Sequence, residues 1–166
     1  MATQAERLAI IKLTVAMFNA APGSVYLSEL VSFFDASGGT AEAKLQSLAR
    51  ALSETGAYKT INPSFQTATE FASVFLTPFN LQGNAEAVAF ITSRFATTNK
   101  GQIAAEAAIA IANSTSDAFA EARNILVNKG LVAEYFSVTK AIAQTDVSQL
   151  TSVLANVTKD TAYFGI

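Results

Sequence analysis

The apolar residues of this 166-residue chain recur every three to four positions in one segment after another, and that spacing constrains the fold more than any other feature. In "TQAERLAIIKLTVAMF", Leu8, Ile11, Val15 and Phe18 share one face of a helical period, with Leu13 and Met17 beside them. A capping box marks its start: Thr3 is placed to accept from the backbone three residues on, and Glu6 to reach back. Pro22 and Gly23 in "AAPGS" disfavour continuation. A second segment turns Leu27, Leu30, Val31 and Phe34 inward. "ASGGT" breaks it, and Thr40 caps a third that bears Leu45, Leu48 and Leu52. "ETGAYKTINPS", residues 54–64, reads as a loop.

The pattern then recurs. Thr67 and Glu70 form a second capping box, opening a helix with Phe71, Val74 and Phe75 that Pro78 stops. "NLQGN" is a loop, and Asn84 caps a helix with Val88, Ile91 and Phe95. The polar turn "TTNKG" leads into "QIAAEAAIAIAN". Placing Phe34 on Phe95 gives an offset of about sixty residues, which also sets Leu27 on Val88 and Leu30 on Ile91. The chain therefore reads as a single domain, 1–166, with internal halves 1–65 and 66–115 followed by 116–166.

That last part opens with "STSD" as its cap and carries Asn128-Lys129-Gly130 inside an apolar run. Phe119, Ile125, Val132, Tyr135, Thr139 and Ile142 keep helical phase across the tripeptide, whereas a turn would reset it. One long helix is expected, with Gly130 costing about 1 kcal/mol relative to Ala and allowing a neighbouring helix to approach. No Gly-rich run precedes Lys129, so a phosphate loop is excluded. A short helix follows from Asp146, its apolar side formed by Val147, Leu150, Val153 and Leu154. Period-two alternation is sustained nowhere. The expected fold is all-α, a compact domain of seven to eight helices.

Composition narrows the chemistry. His and Cys are absent, which removes the usual ligands of zinc, copper and haem iron, the commonest general base and the thiol nucleophile. Acidic residues sit near helix starts, where the helix dipole alone favours them. No EF-hand loop, glycine-rich nonapeptide repeat or G-x-S-x-G elbow occurs. "SVTK", Ser137 to Lys140, has S-x-x-K spacing but lacks the companion S-D-N and K-T-G elements. The chain is read as non-catalytic, with no cofactor and no metal site. A net charge of −2 and singly scattered Lys and Arg leave no footprint for nucleic acid. No window reaches the roughly 18 apolar residues of a membrane span, and Glu6, Arg7 and Lys12 interrupt the N-terminal apolar stretch, unlike a Sec signal. Ser, Thr, Asn and Gln number 47 against 24 charged residues, so water meets mainly neutral hydroxyls and amides.

Tyr58, in "GAYKTINPS" beside Lys59 and Asn62, has the make-up of a loop contact: an aromatic face with an ammonium and an amide, suited to stacking on a sugar or a partner protein. The ending "AYFGI" places Tyr163, Phe164 and Ile166 together after Lys159-Asp160. Leaving them exposed would cost roughly 1.5–3 kcal/mol for each large group. Two readings are open: docking on the chain's own domain, or packing into a neighbouring copy.

"MFNAAPGSVYLSELVSFFDASGG", "FQTATEFASVFL" and "ILVNKGLVAEYFSVTKAI" through "VLANVTKD" together resemble the N-terminal helical region of bacterial surface-layer and calcium-repeat proteins exported by type I secretion, of the caulobacter kind. The resemblance implies an extracellular, non-catalytic cell-surface protein that packs beside copies of itself and attaches to the glycan of lipopolysaccharide. It also implies export through a C-terminal signal. Residues 1–166 contain no calcium-repeat region; either assembly falls to the helical domain itself, with the ending "KDTAYFGI" as a short export signal, or these residues are one domain of a larger protein. Alternatives are a monomeric glycan-binding module that anchors a larger secreted protein, and, from the Ala-rich composition alone, a cytoplasmic granule-coat protein.

Overall fold

The computed structural model describes residues 1–160. Among them are nine α-helical segments and no strand. The helices are α1 (Gln4–Phe18), α2 (Gly23–Ala36), α3 (Ala41–Ser53), α4 (Gly56–Ile61), α5 (Ala68–Leu76), α6 (Ala85–Thr92), α7 (Lys100–Asn113), α8 (Ala120–Glu134) and α9 (Val147–Ser152). The all-α reading holds.

Helix starts follow the sequence signals. Both capping boxes form, Thr3 with Glu6 and Thr67 with Glu70, and Thr40, Asn84 and Asp146 cap α3, α6 and α9. Helix ends are less obvious. Asn19 adopts the left-handed conformation (φ 49°) and closes α1 through a bond from its N–H to the Val15 carbonyl, so the stop precedes Pro22. Asn tolerates that region because its short amide can bond locally.

α1 is the axis. Ile10, Ile11, Leu13, Thr14, Val15, Ala16 and Met17 are all buried, because α2, α3, α7 and α8 pack around it. α7 supplies the tightest contact. Its small buried residues Gly101, Ala104, Ala105, Ala107 and Ala108 let α3 come so near that a Cβ on Gly101 would stand 2.8 Å from the carbonyl carbon of Ala49 and nearer still to its oxygen. The order α1-α2-α3 is followed, after α4, by α5-α6-α7. In each set consecutive helices pack on one another. One hydrophobic core runs through the chain from Ile10 to Val157.

The C-terminal third closes over the start of α2. The N–H groups of Ala21, Gly23 and Ser24, at a helix start where donors lack intrahelical partners, go to the Leu150 carbonyl, the Ser137 hydroxyl and the Ile142 carbonyl at 3.1, 3.0 and 2.9 Å. α8 passes through Asn128 to Gly130 without a break and widens into a π turn, Tyr135–Thr139. The tripeptide lies inside a helix, as its phase predicts. A Cβ at Gly130 would meet the Cγ of Lys12 on α1 at 3.2 Å, which is the expected close approach. Ser116 caps a short 3-10 turn, Asp117–Phe119, rather than α8 itself.

Candidate functional site

The segment 54–64, expected as a loop, is instead largely helical. The Thr55 side chain accepts from the Tyr58 N–H at 3.3 Å and starts α4, a cap hidden from periodicity because the helix is only six residues long. The consequence falls on the candidate contact residues. Tyr58 is 2% exposed and its ring meets Phe18 edge to face at 5.6 Å, so it offers no face for a sugar. Burial pushes its hydroxyl well above the usual tyrosine range. Asn62 is 5% exposed and accepts from the Gln66 side-chain amide at 3.3 Å. Lys59 is exposed and pairs with Glu54 at 2.8 Å. All three border one open cleft of about 370 Å³, together with Ser53, Glu54, Pro63, Ser64, Asn99 and Lys100.

Lys100 organises the rim of that cleft. Its ammonium donates to the Pro63 carbonyl at 2.9 Å and to the Gln66 side-chain oxygen at 3.0 Å, and lies 5.6 and 5.5 Å from the ring centres of Phe71 and Phe95. Burial lowers its proton affinity. The Gln66 N–H closes a turn onto the Pro63 carbonyl at 3.1 Å. Phe65 sits at the tip of this doubly held turn and is 85% exposed, more than any other large apolar side chain described beyond Met1. Sequence reasoning passed over Phe65 in favour of Tyr58. The available signal was Pro63 two residues ahead, which marks a turn that a lone aromatic between polar neighbours could not bury.

On the other side of α4 lies an apolar groove of about 280 Å³. Phe18, Tyr26, Leu30, Leu52, Ala57, Val147 and Leu150 line it, with Glu29 among them. Tyr26, Leu30 and Phe33 form an i, i+4, i+7 stripe along α2, and Tyr26 and Phe33 are exposed. Groove and cleft share no lining residue.

Lys129 is the second group that sequence reasoning undervalued. It is 5% exposed. Its ammonium donates to the Asn19 side-chain oxygen at 2.7 Å and approaches the Pro78 carbonyl at 3.5 Å, bridging α8, the end of α1 and the 3-10 turn after α5. No carboxylate pairs with it among the described residues, and burial lowers its pKa to about 8. A desolvated amine of that kind can be nucleophilic, but this one is committed to groups inside the fold. Among the described residues no three His, Cys, Asp or Glu side chains converge on a point that could hold a metal. No single helix there is long and apolar enough to cross a membrane. The tail residues Tyr163, Phe164 and Ile166 lie outside the described residues.

No protein-family model, no curated protein and no solved structure matches this chain.

Proposed function

We propose that this chain is a non-catalytic structural protein that self-associates at the outer surface of a bacterial cell, as a surface-layer-like or filament subunit. The observation that supports the reading is the arrangement of apolar side chains left in water. Single exposed apolar residues are ordinary, but here an aromatic is held out on a turn and a separate apolar groove lies open on the far side of α4. Two unlike surfaces on one body favour association that repeats rather than closes. The resemblance of the helical segments to surface-layer proteins, and a neutral amide- and hydroxyl-rich exterior, point the same way.

Sedimentation velocity and negative-stain microscopy across rising concentration, with and without calcium, test it. Species that grow with concentration are expected. A single monomeric species throughout would refute self-assembly.

A second reading, a module that anchors to lipopolysaccharide or another surface polysaccharide, is favoured by the polar cleft. Its exposed wall presents Glu54, Lys59 and Ser64 above the buried Ser53 and half-buried Asn99, with Phe65, next to Ser64, rather than Tyr58 as the aromatic face. Pull-down on purified lipopolysaccharide decides it: binding that Lys59→Ala and Phe65→Ala both weaken is expected, and absence of binding by the unaltered chain ends this reading.

A further inference from the structure

We propose that Phe65 of one copy inserts into the groove between α2, α4 and α9 of the next, linking copies head to tail. This rests on the self-association reading and names the contact that would perform it.

The geometry supplies a projecting group and a receptor, and the ring does not line the receptor of its own chain. Phe65 is 85% exposed at the tip of its turn, and the two residues that bracket the turn are held: Gln66 by its N–H bond to the Pro63 carbonyl, and Pro63 and Gln66 together by the Lys100 ammonium. A ring presented on a constrained turn loses little further freedom on docking, the condition under which an aromatic becomes an anchor. The receptor is apolar, lined chiefly by Phe18, Tyr26, Leu30, Leu52, Val147 and Leu150. A cavity of about 150 Å³ suffices for a benzene ring, so the groove's 280 Å³ accepts a phenyl group with part of its turn.

Charge agrees in sign. The turn carries at its base Lys100, whose ammonium has no carboxylate partner among the described residues, while Lys59 across the cleft is balanced by Glu54. The groove includes Glu29, which makes no ion pair among the described residues. Turn and groove are separate patches: in the proposed head-to-tail contact a copy whose turn is docked still offers its own groove to a third copy, so the assembly grows past a dimer, whereas a reciprocal two-fold exchange would stop at two copies.

The test uses the full chain and two surface variants. Phe65→Ala removes the anchor, and Val147→Glu sets a charge at the groove while leaving the turn intact. Each alone should raise the concentration needed for assembly at least about tenfold, with circular dichroism unchanged, and Phe65→Tyr should restore it. Mixed one to one, the two variants should form heterodimers and nothing longer, since one retains a groove and the other a turn. Assembly by Phe65→Ala at the parent's concentration would overturn this contact and leave self-association standing. If deleting residues 161–166 abolishes assembly while Phe65→Ala does not, the tail is the occupant and the proposal fails. A parent chain that remains monomeric overturns both readings.

Discussion

Lys129 carries its ammonium inside the fold with an amide and a carbonyl for partners and no carboxylate. Its pKa is therefore lowered from 10.5 to about 8. The unfolded chain binds the extra proton between these values, so the group's contribution to stability rises with pH through that window. Below about 8 both states are charged and the folded one bears the full desolvation cost. Denaturant midpoints at pH 7, 9 and 10 for the parent and Lys129→Met should therefore draw apart in the parent's favour as pH increases. A pH-independent difference would show that the amine is better solvated than its position implies. Tyr58 makes the complementary case. Tyr58→Ala removes a buried ring packed on Phe18 and should cost about 3–5 kcal/mol of stability, whereas Tyr58→Phe keeps the ring and should leave both fold and any surface binding nearly unchanged.

Among the elements, Gly101 in α7 and Gly130 in α8 have unlike reasons. At Gly101 an added methyl group would strike the backbone of Ala49 on α3, which cannot yield without separating α3 from α7. Gly101→Ala should destabilise by about 1–3 kcal/mol. At Gly130 the neighbour is the flexible side chain of Lys12. There the gain in helix propensity offsets the crowding, and Gly130→Ala should stay within about 1 kcal/mol of the parent. Thermal melts of the two variants side by side separate a backbone contact from a side-chain one. The same distinction explains why α4 escaped sequence reading while α1 did not. Fifteen residues repeat a period several times, whereas six residues complete fewer than two turns and leave only the Thr55 cap as a sign.

For the whole molecule, association driven by burying an aromatic in an apolar groove has the temperature dependence of the hydrophobic effect and weakens on cooling. The weight-average mass at fixed concentration should fall between 25 and 4 °C, and a charge-driven lattice would show the reverse dominance, with assembly lost in high salt instead. Removing residues 161–166 tests the tail independently of Phe65. If the tail only docks on its own domain, assembly persists and stability falls.

Helical phase, two capping boxes and the absence of any alternating run determined the all-α fold and the uninterrupted course of α8, because those signals are local and each segment carries its own. The placement of side chains in space was not local. Whether Tyr58 faced water depended on α4 forming and laying its ring against Phe18, far back along the chain on α1, a contact that only three dimensions reveal. Phe65 became the exposed aromatic because Lys100, thirty-four residues away from Gln66, fastens the turn beneath it. Lys129 became a buried amine because Asn19, on another helix, ends α1 beside it. Periodicity reports which face of an element is apolar; only packing decides which polar groups are drawn in with that face and which apolar ones are left outside.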